Sequence, residues 1–323
     1  MKAIVQDRFG SADVLELREV PDPVIGEGEV LVQVRAAGCG PDVWHLMTGL
    51  PFLARAMPEF RREWKAPRGR DVAGTVERVG PGVTAFAPGD EVMAIVDGSF
   101  AELAAGSATK IVRKPVRLSF EQAAAVPISG LTALQALRDV TDVKAGQRVL
   151  VIGAGGGVGT LAVQSAKAFG AHVTGVCSAG KAELVRSLGA DEVIDYTRED
   201  FADGRRTWDA IVDTAGRRSL RSLRRALAPK GALAIVGGDG GGKVTGGFFR
   251  QILRAPLLSM FTGQRLRPVM VKESASDLEV LADLIDKGEV APVVDRTFPL
   301  VEAPEAVRYL EEGHVAGKVI VQV

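Results

Sequence analysis

The sequence predicts an α/β chain: a compact, barrel-like β domain followed by a doubly wound parallel sheet. Three observations predict it. The first third holds short alternating segments punctuated by proline and glycine clusters. Beyond residue 148, short β-branched runs alternate with amphipathic segments, the pattern of strands joined by crossover helices. At the first of these junctions Arg148-Val149-Leu150-Val151-Ile152 runs into Gly153-Ala154-Gly155-Gly156-Gly157-Val158-Gly159, and an alanine-rich segment over 161–169 follows at once. That order is strand, tight turn, helix.

In chain order, the first residues enter a strand pattern immediately. Alternating segments over 29–35, 72–79 and 91–95 are separated by Pro21-Asp22-Pro23, Gly80-Pro81-Gly82 and Pro88-Gly89-Asp90. At Ser119-Phe120-Glu121-Gln122 the spacing becomes that of a capping box, in which serine and glutamine satisfy each other's free backbone donors ahead of a helix through Val126. This places a substrate domain over 1–122, a nucleotide domain over 123–272 and a tail over 273–323 that returns to the first domain. Strands are expected at 149–152, 172–176, 192–195, 210–213, 232–236 and 268–271. The helix over 219–227 turns Leu220, Leu223 and Leu227 to the sheet and Arg221, Arg224 and Arg225 to water, so the arginines read as a solvated face. In the tail, a helix over 277–287 leads to extended runs at 293–295 and 298–300, a helix over 304–311 and a last strand over 318–323.

A chain of 323 residues that is 46% hydrophobic can bury two substantial cores. Lys plus Arg and Asp plus Glu number 40 each, so no global field attracts nucleic acid or an anionic membrane. No run is long enough to span a bilayer, and the first residues lack the apolar core of a signal peptide. Cys39 and Cys177 are too few for a disulfide framework and fall in different regions. A reducing, cytosolic setting is expected.

The glycine cluster carries the chemistry. Without Cβ atoms in the way, backbone N–H groups and the positive end of a helix dipole can reach a pyrophosphate. The spacing is G-x-x-G-x-x-G at Gly153, Gly156 and Gly159, one residue longer than the commonest form. A tight turn without a ligand is the bland alternative. The second strand after Gly170 completes a strand–helix–strand unit and favours a dinucleotide. That strand ends Val176-Cys177-Ser178-Ala179-Gly180-Lys181, with no carboxylate before Glu183. A 2′-phosphate would meet Ser178 and Lys181 rather than a repelling charge, which predicts NADPH. An isolated Lys181 would read as a solvated lysine; its place after the second strand reverses that.

Further motifs run the length of the chain: Ala36-Ala37-Gly38-Cys39-Gly40-Pro41, Gly69-Arg70-Asp71-Val72-Ala73-Gly74, Pro88-Gly89-Asp90-Glu91-Val92, Gly98-Ser99-Phe100-Ala101-Glu102, Leu131-Thr132-Ala133-Leu134, and Gly313-His314 with Gly317-Lys318. On these the chain resembles the medium-chain dehydrogenase/reductase superfamily, in its zinc-independent, quinone oxidoreductase-like branch. The resemblance implies a GroES-like β-barrel domain, a Rossmann domain, a substrate cleft between them, and a homodimer formed by pairing of sheet edges. By position it implies that Ser178, Lys181 and Tyr196 meet the 2′-phosphate and adenosine ribose. It likewise implies that Gly153, Gly156, Gly157, Val158 and Gly159 form the pyrophosphate turn, and that Thr132, Thr214, Gly237 and Gly238 approach the nicotinamide half. Tyr196 also reads as the last side chain of a strand packing on its neighbour. Where many relatives have Val-Asn-Pro, this chain has Cys39-Gly40-Pro41, so a contact from that asparagine does not carry over.

No metal is expected. A catalytic zinc takes three protein ligands. Cys39 lies near the thiolate position of zinc-dependent relatives, but their Gly-His-Glu is Gly69-Arg70-Asp71 here, and the region of the remaining ligand reads Pro127-Ile128-Ser129-Gly130. Cys39 therefore reads as a small buried hydrophobe. Without a metal, hydride transfer is easiest to acceptors that delocalise the incoming charge, which points to a small hydrophobic quinone or α,β-unsaturated carbonyl. A zinc-independent alcohol or aldehyde dehydrogenase and a low-turnover NADPH-binding regulatory protein stay open as alternatives. His45, Thr48 and solvent are the proton sources to weigh, His45 reading equally as a satisfied structural residue. Trp44, His45, Thr48 and Phe52 are the candidate substrate-pocket residues, Trp44 being able to stack on a flat acceptor or to fill the core. Apolar residues crowd two segments, 50–65 and 246–263, which read as walls or lids over a cleft, or as helix packing or a dimer surface.

Overall fold

Strand β1 (Lys2–Val5) pairs antiparallel with β2 (Glu16–Glu19). Strand β3 (Glu29–Cys39) is long enough to serve three partners, and helix α1 (Pro41–Thr48) follows it, ending at Gly49 in the left-handed region. Four strands follow: β4 (Asp71–Val79), β5 (Glu91–Ile95), β6 (Leu103–Ser107) and β7 (Ile111–Arg113). One edge of β3 pairs with β4, while β6 lies beside residues 29–33 of β3. Helix α2 (Phe120–Ala124) has the expected cap: Gln122 N–H donates to Ser119 Oγ at 3.2 Å and Ser119 N–H to Gln122 Oε1 at 3.1 Å.

Next come α3 (Pro127–Gln135), β8 (Arg148–Ile152), α4 (Gly157–Ala168), β9 (His172–Cys177), α5 (Ala182–Ser187), β10 (Glu192–Asp195) and β11 (Trp208–Asp213). After these the chain forms α6 (Leu220–Ala226), β12 (Leu227–Ile235), α7 (Gly242–Met260) and β13 (Arg265–Pro268). The six strands form one sheet in the order β10-β9-β8-β11-β12-β13, all parallel, with the order reversing beside β8. That is the doubly wound arrangement. Its strands are apolar almost throughout because helices cover both faces. Ile211, Leu233, Leu223 and Leu266 are fully buried in one cluster, each worth about 1.5–3 kcal/mol by transfer.

The last strand departs from expectation. The apolar run at 268–271 is not the ladder; β13 is Arg265–Pro268, in register with β12 from Ala232↔Arg265 to Ile235↔Pro268. An edge strand needs only one buried position, and Leu266 supplies it between two arginines, while Met270 and Val271 are exposed. The tail follows as α8 (Ala275–Asp286), β14 (Val294–Pro299), α9 (Ala303–Glu311) and β15 (Lys318–Gln322). The two extended runs expected at 293–300 are one strand, parallel to β15. In turn, β15 pairs with residues 36–39 of β3, completing the order β14-β15-β3-β4-β5-β7.

The computed structural model describes residues 1–57, 60, 66–237 and 242–323, with several side chains at the start of α7 set aside. Two units divide it: Met1–Ile128 with Lys272–Asp286 and Pro292–Val323, and Ser129–Val271 with Lys287–Ala291. The division falls inside α3 rather than at residue 122. Helix α2 stays with the first unit because its buried alanines pack on β3, β4 and β15, and Gly38 lets the Ala124 carbonyl come close.

Candidate active site

In the second unit, β8 ends at Ile152 and the chain turns through Gly153 at φ 79°, a left-handed conformation that favours glycine. The N–H groups of Gly153 and Ala154 both donate to the Val176 carbonyl at 3.0 Å, which ties the turn to the end of β9. Gly156 donates to the Gly153 carbonyl at 3.1 Å and caps α4. A Cβ on Gly159 would overlap that same carbonyl, so glycine lets the first turn of α4 sit directly on the end of β8. The N–H groups of that first turn have no partner within the helix, and the positive end of its dipole faces the same way. An anion is what such a turn can hold.

Ser178 and Lys181 come to this turn from β9. Lys181 N–H donates to the Ser178 carbonyl at 3.0 Å. A Cβ on Gly155 would lie 2.7 Å from Lys181 Cδ, so the lysine stem lies across the glycine turn. The carboxylate nearest in register is Asp195, opposite Cys177. It is turned to its own loop, where Thr197 N–H and Thr197 Oγ1 donate to Oδ1 at 3.0 and 2.8 Å and hold the carboxyl below its usual range. Burial, helped by Asp195, pushes the Cys177 thiol up. Tyr196 donates its N–H to the Cys177 carbonyl at 3.3 Å, and its side chain is 49% exposed. This exposure does not fit the reading of a strand residue packed on its neighbour.

At the carboxyl ends of β11 and β12, Thr214 Oγ1 donates to the Ile152 carbonyl at 2.8 Å. Gly237 donates to the Asp213 carbonyl at 3.1 Å, and a Cβ there would overlap the Thr214 carbonyl. Gly153, Thr214 and Gly237 thus stand together beside the switch point, while Gly238 lies outside the described residues. Thr132 is buried on α3. Asp213 was not singled out from sequence: fully buried, it accepts N–H bonds from Ala215 and Gly216 at 3.2 and 3.0 Å and shapes the loop after β11. The signal for it is an aspartate closing an apolar strand ahead of Thr-Ala-Gly.

In the first unit, His45 Nδ1 lies 2.7 Å from the Leu50 carbonyl. A carbonyl only accepts, so Nδ1 carries a proton, and Nε2 is the ring nitrogen left out of this contact. Thr48 Oγ1 donates to the Trp44 carbonyl at 2.8 Å and accepts from Leu50 N–H at 3.3 Å. Trp44 packs on the core, stands edge-on to His45, and donates Nε1–H to Glu311 at 2.6 Å. Phe52 is exposed, with the Arg55 guanidinium 4.7 Å from its ring centre. Of the segment over 50–65, residues 58, 59 and 61–65 lie outside the described residues. In the segment over 246–263, Ala255 and Leu258 pack on the sheet core, whereas the Phe248 and Phe249 side chains lie outside the description.

A buried ion pair, Asp71 with Lys318, stands beside Cys39. Cys39 is fully buried, and burial pushes its thiol up to about 12, so it stays protonated. Asp71 accepts from Ile128 N–H at 2.7 Å and forms an ion pair with Lys318 Nζ at 2.8 Å, both side chains being buried. Burial works to lower the Lys318 pKa, but the carboxylates of Asp71 and Asp42 outweigh it and hold the ammonium above the usual lysine range. Among the described residues no group of three or more His, Cys, Asp or Glu is placed to hold a metal ion.

Residues 26–116 match the family model of the alcohol dehydrogenase GroES-like domain, and residues 188–321 that of the zinc-binding dehydrogenase. The chain is 35% identical to the mitochondrial NAD(P)H oxidoreductase RTN4IP1 of Mus musculus, covering 100% of this chain and 89% of that protein. It is 34% identical to the chloroplast envelope quinone oxidoreductase homolog of Arabidopsis thaliana, covering 97% and 95%. A solved structure of the quinone oxidoreductase from Coxiella burnetii matches at TM-score 0.88 and 32% identity, covering 100% and 99%. With similarity of this extent joined to the parallel sheet and its glycine turn, the chain belongs to the medium-chain dehydrogenase/reductase superfamily, in its zinc-independent, quinone oxidoreductase-like branch.

Proposed function

We propose that this chain is an NADPH-dependent oxidoreductase that delivers hydride to a quinone or α,β-unsaturated carbonyl without a metal. The observation that carries the reading is Lys181 lying across Gly155, with Ser178 at the end of β9 and no carboxylate there. The turn fits a dinucleotide because glycine at 153, 155 and 159 lets it close against Thr214, Lys181 and the Gly153 carbonyl, leaving the first N–H groups of α4 for a pyrophosphate. Gly153, Gly156, Gly157, Val158 and Gly159 would hold the pyrophosphate, Ser178, Lys181 and Tyr196 the phosphorylated ribose, and Thr132, Thr214, Gly237 and Gly238 the nicotinamide half. When bound, reduced nicotinamide supplies the hydride.

The residues at the zinc positions support an acceptor that spreads charge itself: Cys39 stays a thiol and Asp71 is neutralised by Lys318. Hydride and one proton convert an enone to a saturated ketone, or a quinone to a hydroquinone. The Thr48 hydroxyl and the His45 Nδ1 proton are both committed to backbone carbonyls. We therefore assign the proton to solvent, with His45 able to donate from Nε2 only as an imidazolium. The similarity to proteins named as NAD(P)H and quinone oxidoreductases supports the reaction class. We also infer a homodimer, the parallel sheet having open edges at β10 and β13, and a cytosolic setting that suits two buried free thiols.

The test is stopped-flow oxidation of NADPH and NADH over quinones, enones and aldehydes, with and without a chelator. Turnover of quinone or enone at least about tenfold better with NADPH, unchanged by chelator, is expected from one charge-assisted phosphate contact. Equal use of NADH, or activity lost to the chelator, overturns the proposal.

A further inference from the structure

Arg55, at the start of the segment over 50–65, is a guanidinium to which the cofactor reading gives no task. It belongs to a short 3₁₀ turn, Phe52–Ala56, in which Ala54 is buried while Phe52 and Leu53 are 47% and 52% exposed. The guanidinium carbon lies 4.3 Å from the ring centre of Phe9 and 4.7 Å from that of Phe52. Nε donates to the Gly49 carbonyl at 2.9 Å and Nη2 to the Thr48 carbonyl at 3.4 Å. These carbonyls end α1, where the helix leaves acceptors unfilled and its dipole favours a cation. Gly49 is left-handed at φ 63°, and a Cβ on it would lie 2.7 Å from both Arg55 Nε and Phe9 Cδ1. Glycine therefore makes the turn and also admits the arginine and the ring that cover it.

The same turn carries His45 and Thr48. Leu50 N–H donates to Thr48 Oγ1 at 3.3 Å, and the Leu50 carbonyl meets His45 Nδ1 at 2.7 Å. From the N-terminal side, Gly10 N–H and Gln6 Nε2 donate to the Met47 carbonyl at 3.2 and 3.1 Å, which fixes the loop bearing Phe9. Backbone on both sides of Arg55 is thus held. Capping α1 would need only the two carbonyl contacts. The guanidinium also holds the Phe52 ring, and holds it at the surface rather than in the core. An aromatic side chain that is fixed yet half exposed can take a flat partner with little further loss of rotamer freedom. Arginine alone supplies both a planar fork for two carbonyls and a face for two rings; a lysine ammonium supplies neither.

We propose that Arg55 is a positioning residue for acceptor specificity: it clamps Phe52 to the turn shared by His45 and Thr48, and the preformed aromatic wall favours flat fused-ring acceptors over small ones. This rests on the proposed reading of a quinone or enone reductase. The test takes two readouts on the full chain. One is NADPH oxidation with phenanthrenequinone and with benzoquinone; the other is equilibrium dialysis of phenanthrenequinone with oxidised cofactor present, so that nothing turns over. Arg55→Met and Arg55→Lys should each raise KM for phenanthrenequinone about fivefold relative to that for benzoquinone, at a kcat within about twofold, the loss of one aromatic contact. The dialysis Kd should rise by the same factor. Phe52→Leu, which leaves the contacts at the end of α1 in place, should do the same, and combined with Arg55→Met should be no worse than either alone, because both remove one wall. A residue that only capped α1 would lower the melting temperature and leave the ratio of the two acceptors as in the wild type. That result overturns the proposal, as do equal losses on both acceptors, additive losses in the double variant, or a wild type that does not bind phenanthrenequinone. Binding that weakens in the Arg55 variants, with no NADPH oxidation by the wild type, overturns the reductase reading and leaves the clamp standing.

Discussion

In the sequence Lys181 stands at the end of the second strand of a strand–helix–strand unit, and that place suggests a role. Its stem across Gly155 makes the suggestion geometric. Replacing it, Lys181→Ala, should raise KM for NADPH about tenfold or more and leave KM for NADH within about twofold, because a charge-assisted contact to the 2′-phosphate is worth about 1.5–3 kcal/mol; steady-state kinetics with both cofactors decides it. Cys39 was legible as a buried thiol because the ligands that would make it a thiolate are missing from the sequence. The Asp71–Lys318 pair was not, since nothing local links an aspartate in the first quarter of the chain to a lysine at its end. Only the ladders β15–β3 and β3–β4, with Val319 opposite Cys39 and Gly38 opposite Asp71, bring them together. Lys318→Met should destabilise the fold by about 3–5 kcal/mol, because it leaves a buried carboxylate uncompensated. Asp71→Leu added to it should restore most of that loss in urea denaturation.

Among the elements, the capping box of α2 and the glycine-to-α4 junction were readable because each depends on residues within a few positions of one another. Gly159 shows how tight the second of these is. Any Cβ there meets the Gly153 carbonyl, so Gly159→Ala must push α4 away from β8. The expected result is a dinucleotide affinity reduced at least about tenfold with the sheet still folded, the displacement disturbing the N–H groups that would face the pyrophosphate. Fluorescence titration with NADPH checks the affinity and far-UV circular dichroism the fold. Strand β13 was misplaced for the opposite reason: its single buried residue, Leu266, carries no periodicity, and its pairing with β12 supplies the ladder. The α7 segment was visible as apolar density, but which residues face the sheet and which face water was settled by packing.

At the scale of the molecule, opposite charges that balance overall are still placed to couple stability to pH. Burial works to raise the Asp191 pKa, but the Lys167 ammonium and Val173 N–H outweigh it; burial likewise opposes the Glu273 charge, which Lys110 and Arg70 outweigh. Both carboxyls are held below their usual range. Their contribution is therefore fully present above the unfolded values near pH 4 and is lost as pH falls through the lower folded values. The midpoint of thermal unfolding should be level near neutrality and fall below about pH 4, and Asp191→Asn should flatten part of that fall. The sequence by itself determined the class of fold, the strand–turn–helix that opens the parallel sheet and the residue types at the end of its second strand, because periodicity, turn chemistry and capping act over a few residues. The tertiary structure alone decided that Lys181 meets the glycine turn, that an ion pair stands beside Cys39, and that three arginines surround a cavity. Each of these joins residues remote in sequence through strand register and helix packing, and both depend on the whole chain being folded.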